Sequence, residues 1–149
     1  MPLTVQVGWY QVKTNAPANI VAIYRERVTG RPDFEASVPA RPAVQKITGV
    51  FDNRAGFSSG LAVANPGTRA INLNFVLRNS AGTVVRTATL PLVAKGHSAF
   101  FINSAYPETA NLLGRIEIEA VDSLTGVDAL FVPLGLRFSP TGSFTSIPY

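Results

Sequence analysis

The chain has 149 residues, with 13 Lys and Arg against 9 Asp and Glu, and a formal net charge of +4. The basic residues are scattered along the chain, which argues against a nucleic-acid footprint, where they cluster. The absence of cysteine excludes disulfides and thiolate metal sites, and no apolar stretch is long enough for a membrane span. Hydrophobic residues are 46% and charged residues only 15%, so we expect one domain whose surplus apolar surface faces a partner.

The first ten residues predict a strand. Leu3, Val5, Val7 and Trp9 alternate with more polar neighbours, so the strand begins near residue 3. The same stretch lacks a basic region followed by an apolar core, so no signal peptide is expected within this sequence.

Three further strands are predicted before the middle of the chain. They cover residues 20–27, residues 34–38 and residues 44–51, and Gly- and Pro-containing turns separate the first two. Residues 39–42 (PARP) formally match a short proline-recognition pattern, but their length favours a connector.

The strongest signal lies in residues 56–85. Leu61 and Val63 alternate with alanines before an Asn-Pro-Gly break, and residues 71–78 then alternate between apolar and mostly polar side chains. Residues 79–82 (NSAG) are typical of a hairpin turn. The pattern predicts antiparallel hairpins across residues 57–103.

The rest of the chain continues in short elements. Pro133 lies inside one nearly all-apolar run, which predicts a bulge or an edge position there. The predicted elements are strands at 87–93, 98–102, 115–120, 127–138 and 144–149, with one short helix near 105–112.

About ten short strands separated by Gly and Pro turns predict an all-β fold, a single antiparallel β-sandwich over residues 1–149. A faint repeat relates residues 8–39 to residues 114–148, through Phe34 and Phe144 among others. It predicts two similar outer three-strand units, near 3–39 and 114–149, that bracket the central hairpins.

Several pieces of sequence resemble an uncharacterised β-sandwich module of secreted and surface proteins from environmental bacteria. The central part also looks like bacterial immunoglobulin-like domains. The matching pieces are GW at 8–9, GRPDFEA at 30–36, FDN at 51–53, GLAVAN at 60–65, GH at 96–97, GLRF at 135–138 and FTSIP at 144–148. The resemblance implies an extracellular or cell-surface, non-catalytic module and transfers no catalytic residue and no cofactor.

Two patterns in the sequence resemble catalytic motifs, and each also has a simpler structural interpretation. Residues 56–60 (GFSSG) match the nucleophile-elbow pattern, with Ser58 as nucleophile and His97, the single histidine, as its base. That motif requires a strand before it and a helix after it, whereas here a turn precedes and a strand follows. Glu117 and Glu119 share a strand face, as a glycosidase pair would, but so do the polar residues of any half-buried strand. We therefore expect no catalytic residues.

Metal binding is also weakly indicated. Oxygen ligands for Ca²⁺ could come from dispersed carboxylates, but no Asp-x-Asp-x-Asp-Gly loop is present. The candidates are Asp33, Glu35, Asp52, Asp122 and Asp128. A structural calcium stays open as an alternative.

Two functions remain. The first is self-association into a filament or surface array, with Leu3, Val5, Val7 and Trp9 forming a strand that is exchanged or packed between copies. The second is binding of a glycan or another ligand. Its aromatic platform would consist of Trp9, Tyr10, Tyr24 and Tyr106.

Overall fold

The computed structural model describes residues 8–27, 29–30, 33–147 and 149. This part of the chain is all-β, with antiparallel strands and one short α-helix followed by a 3-10 turn, and the predicted fold class is confirmed. The elements are β1 (Val21–Glu26), β2 (Phe34–Pro39), β3 (Lys46–Asp52), β4 (Ser58–Ala64), β5 (Ile71–Asn79), β6 (Val84–Leu92), β7 (His97–Phe101), α1 (Ile102–Ala105), the 3-10 helix Pro107–Thr109, β8 (Leu113–Asp122), β9 (Val132–Phe138) and β10 (Phe144–Ile147).

Two four-stranded sheets make up the sandwich. Sheet A has the order β10-β9-β4-β7, and sheet B has the order β3-β8-β5-β6. The core lies between them, because alternate side chains of each strand turn inward. Leu73, Phe75 and Leu77 on β5 are fully buried or nearly so, as the alternation predicted, and Leu61 and Val63 face them from β4.

The strand order differs from the immunoglobulin arrangement. An immunoglobulin sandwich keeps its first two strands in one sheet and its last two in the other. Here β3 pairs with β8 in sheet B, and β9 pairs with β4 in sheet A, so the first two strands of the sandwich, β3 and β4, lie in different sheets. The sandwich is therefore shown, whereas its immunoglobulin-like character is not confirmed.

The central hairpin prediction is half right. β5 and β6 pair as a hairpin, and the Asn79 side-chain carbonyl accepts from the backbone N–H groups of Ala81 and Thr83 at 3.0 Å each. β4 and β5, however, lie in different sheets. Residues 65–70 are thus a crossover, and apolar alternation in both strands was equally compatible with pairing and with packing face to face.

Other predicted element boundaries also differ from those in the structure. Leu3, Val5 and Val7 lie outside the described residues, and Trp9 and Tyr10 are in an irregular segment, so a strand reaching that far is wrong. The helix begins earlier than predicted, at Ile102. The predicted strand over 127–138 is regular only from Val132, because Asp128 and Phe131 form single bridges with other parts of the chain.

Pro133 lies at an edge position. β10 pairs with β9 only from Gly135 to Phe138, so within the described chain Pro133 has a strand neighbour on the β4 side alone. A missing backbone N–H is tolerated there because no second ladder needs it.

The faint repeat corresponds in part to two similar hairpins. β1 pairs with β2, and β9 with β10. The Phe34 and Phe144 rings meet edge to face, with centroids 5.2 Å apart. β8 belongs to sheet B, so the second predicted three-strand unit is divided between the sheets.

The β1–β2 hairpin forms a third layer over sheet A. Ala36 and Val38 on β2 are buried, and the Ser146 hydroxyl on β10 donates to the Ser37 carbonyl oxygen at 3.1 Å. Because this layer lies over sheet A, a groove is left between the two.

Candidate functional site

An apolar groove of about 650 Å³ lies between sheet A and the layer above it. Its floor is the outer face of sheet A. Ala62 on β4 pairs with Ala99 on β7 and with Leu134 on β9, so these three side chains point to the same side, opposite the core. Small residues in the middle of the floor leave a depression where a larger side chain would fill the space.

The walls come from two separate segments. One is the irregular stretch of residues 8–12, which is held in place by Trp9, whose indole N–H donates to the Lys95 carbonyl oxygen at 3.0 Å. The other is the hairpin and the connector that follows it, including Ala22, Tyr24 and Val38. A cavity of this size falls within the range of about 300–1,000 Å³ that small-molecule sites occupy.

An aromatic row anchors the hairpin beside the groove. The Phe101 and Phe138 ring centroids are 5.0 Å apart, and those of Phe138 and Phe144 are 5.4 Å apart. Phe34 of the hairpin completes the row through its contact with Phe144. The hairpin is thus fixed at its Phe34 end, and the groove lies under its other end.

The structure brings together three of the four aromatic residues predicted as a ligand platform. Trp9, Tyr10 and Tyr24 all line the groove. Tyr106 does not, because it follows α1 and packs against Phe75 and Phe100, with ring centroids 6.2 Å and 6.0 Å away. Burial also raises the pKa of Tyr106.

The groove lining carries only basic charge. Of the described residues that line it, none is acidic, and Arg41 and His97 are the basic ones. Arg41 is exposed in the connector between β2 and β3. The rest of the lining is mainly alanine, valine, proline and aromatic side chains, so an apolar ligand would leave few polar groups of the lining without a hydrogen bond.

The two residues of the nucleophile-elbow pattern, Ser58 and His97, are far apart. Ser58 begins β4, whereas His97 pairs with Ala64 at the other end of that strand. Six residues at about 3.3 Å each separate them by roughly 20 Å. The Ser58 hydroxyl accepts a hydrogen bond from the Asn103 amide at 3.2 Å.

Most of the described acidic residues form ion pairs with arginines and are not gathered into a group. No group of three or more potential metal ligands occurs in the part of the chain that the structure describes. Asp33 pairs with Arg27 at 3.2 Å, and Asp122 pairs with Arg69 at 2.9 Å. Glu117 contacts Arg78 and Arg115, and Glu119 accepts from Gln45.

Asp52 is the centre of the strongest charge cluster. The Arg54 guanidinium donates to both of its carboxylate oxygens, at 2.9 Å and 3.2 Å, and Arg137 donates at 3.0 Å. These bonds, led by the one from Arg54, lower the Asp52 pKa to about 2. Arg137 also lies 3.7 Å from the Phe57 ring centroid. The cluster joins β3, β9 and the turn before β4, and both oxygens of the Asp52 carboxylate accept hydrogen bonds within it.

Sequence reasoning missed the groove floor and Arg41. The signal for the floor was present: β4 has alanines where a half-buried strand normally has polar residues. That pattern indicates a sheet covered on both faces. Nothing in the sequence distinguished Arg41 from other arginines, because what sets it apart is the lack of a carboxylate partner among the described residues.

Fold and site together define an all-β protein: a β-sandwich with a hairpin layer and an apolar groove beneath it. No family of known proteins, no curated protein and no solved structure matches this chain. In the described residues, no helix has the length and apolarity needed to cross a membrane.

Proposed function

We propose that this chain is a non-catalytic module that acts through protein–protein association, by addition of a strand from a second copy to β1. The observation that supports this proposal most directly is the exposure of the apolar side chains on β1. Val21, Ile23 and Tyr24 are 56%, 72% and 48% exposed, and no described strand pairs with the second edge of β1. An exposed apolar edge strand presents unpaired main-chain groups that another strand can bind.

The outer face of the hairpin supports the same proposal. Val21 and Ile23 point away from sheet A, because their neighbours Ala22 and Tyr24 pair with the buried Val38 and Ala36. Two β-branched side chains therefore remain in solvent beside an open edge. A secreted or surface location, which the sequence resemblance implies, is part of this proposal, and so is growth into a filament or array if a second edge is also used.

Sedimentation velocity over a wide range of protein concentrations tests association. We expect the wild-type chain to form larger species as concentration rises. Ile23→Lys places a charge on the edge and should lower the association constant about tenfold or more. Leu124→Lys is the matched control, because Leu124 is 85% exposed in the turn after β8, a strand of a different sheet from β1.

Electron microscopy of the wild-type sample distinguishes filaments from small closed oligomers. A wild-type chain that stays monomeric at every concentration, or two lysine variants that associate equally well, would contradict the proposal.

A second function is supported by the groove. Trp9, Tyr10 and Tyr24 converge on an apolar cavity of small-molecule size, which favours a ligand-binding module, for a glycan or a more apolar molecule. Because Trp9 is the single tryptophan and lines the cavity, a ligand should change its fluorescence. Tyr10 is 96% exposed, so Tyr24 and Trp9 are the residues on which we expect binding to depend.

A further inference from the structure

Arg41 differs from every other arginine that the structure describes. Eight of these nine residues form an ion pair with Asp or Glu. The ninth, Arg41, has no carboxylate partner within the described residues. Among the described arginines, Arg41 is therefore the one whose guanidinium is available to a ligand, and it borders the apolar groove.

Within the described part of the groove, Arg41 has no acidic side chain that would compete for it. Of the described residues that line the groove, none is Asp or Glu. The floor of Ala62, Ala99 and Leu134 offers no side-chain hydrogen bonds. A sugar needs several such bonds, whereas an alkyl chain needs only apolar contact and exclusion of water.

We propose that the groove binds an amphiphilic anion, with its alkyl or acyl chain on the alanine floor and its carboxylate at Arg41. This inference rests on the second of the two functions proposed above, binding in the groove. The planar guanidinium can hold a carboxylate through two parallel N–H bonds, so it orients the head group while the chain lies against Trp9 and Leu134.

Titration calorimetry and Trp9 fluorescence test the inference with three probes. Decanoate has the chain and the charge, decanol has the chain alone, and acetate has the charge alone. We expect decanoate to bind most tightly, decanol more weakly and acetate undetectably. Arg41→Gln should raise the decanoate Kd about fivefold, as expected for an exposed charge pair, and leave the decanol Kd unchanged.

Two further variants provide controls. Arg115→Gln removes the same charge from β8 in sheet B, outside the groove, and should leave all Kd values unchanged. Ala62→Leu fills the floor and should abolish binding of both decanoate and decanol, provided that circular dichroism and the melting temperature show a folded protein.

The outcomes distinguish failure of the amphiphilic-anion inference from failure of ligand binding in the groove. If decanoate and decanol bind equally and Arg41→Gln changes neither, the anion inference is overturned while groove binding stands. If neither probe binds up to millimolar concentration, or if only sugars from a glycan panel bind, the amphiphile inference is overturned. If neither probe binds, the proposal that the groove binds a ligand loses its support as well.

Discussion

Tyr149 packs between the two sheets, where two glycines make room for its ring. Gly49 on β3 and Gly135 on β9 face it from opposite sheets, and a Cβ atom at Gly135 would lie 2.6 Å from the ring carbon Cζ. The ring packs against the core, but its hydroxyl oxygen is buried without a hydrogen-bond partner in the described part of the chain. Burial raises the Tyr149 pKa to about 12.

Tyr149 should make the fold sensitive to alkaline pH. Its pKa in the unfolded chain is about 10, so the unfolded state loses the phenolic proton first as pH rises. The free energy of unfolding should therefore fall above pH 10, by about 1.4 kcal/mol at pH 11 from this residue alone. Tyr149→Phe should remove that part of the loss, measured by urea unfolding at pH 8 and pH 11.

The exposed tyrosine Tyr10 supplies the comparison. Tyr10→Phe should leave the difference between pH 8 and pH 11 unchanged, since Tyr10 is 96% exposed. At pH 8, Tyr149→Phe should be neutral or stabilising by up to about 1 kcal/mol, because it deletes a buried hydroxyl that forms no bond. Equal alkaline losses in wild type and Tyr149→Phe would disprove this account.

At the scale of single elements, the crossover between β4 and β5 depends on one buried asparagine. The Asn65 amide donates to the Arg69 carbonyl oxygen at 2.8 Å and to the Val93 carbonyl oxygen at 3.0 Å. Its own carbonyl accepts from the Gly67 N–H at 2.9 Å. One side chain thus joins the crossover, which leads from sheet A to sheet B, to the end of β6.

Asn65→Ala should lower the free energy of unfolding by about 2–4 kcal/mol, because several buried backbone groups lose their partner. Chemical denaturation measures this loss. Asn15→Ala, in an exposed loop, should cost less than about 0.5 kcal/mol. Similar values for both variants would show that the crossover does not depend on the Asn65 bonds.

The sequence predicted individual strands well and their partners poorly, for a physical reason. Alternation along β5 reports only which side chains face an apolar neighbour, and it established that strand almost to the residue. The burial of those side chains is the same whether β4 lies beside β5 in one sheet or across the core from it. Turn residues identified the β5–β6 hairpin correctly at Asn79, where the side chain closes a tight turn. They did not identify the crossover at Asn65, because its local bonds to Gly67 and Arg69 are combined with a long-range bond to Val93.

The candidate site could be predicted only in part for the same reason. Aromatic character singled out Trp9, Tyr10 and Tyr24, and the groove does bring them together. Tyr106 carries the same character but packs on the core. Arg41 became visible only when the ion pairs of the other arginines were known.

On the scale of the whole molecule, the three layers differ in how firmly they are held. Between sheets A and B lies the continuous core, with Phe75, Ile116 and Ile118 at most 1% exposed. Among its described side chains, the hairpin layer buries only Ala36 and Val38, and every side chain described on β1 is exposed. A two-stranded hairpin is marginal by itself, so its contact with sheet A determines whether it stays closed.

The hairpin should therefore open without unfolding of the sandwich. Hydrogen exchange measured by mass spectrometry should show that β1 and β2 amides exchange well before those of β5 and β8, since local opening costs less than global unfolding. Phe34→Ala removes the contact with Phe144 and should speed exchange of the hairpin alone, by about tenfold for each 1.4 kcal/mol lost. Val93→Ala, at a position 72% exposed, serves as the control and should change neither the exchange rate of the hairpin nor that of the sandwich.

Because the hairpin forms one wall of the groove, decanoate should slow exchange of the hairpin amides if it binds there. Uniform exchange across β1, β2, β5 and β8 would instead mean that the three layers unfold as one unit.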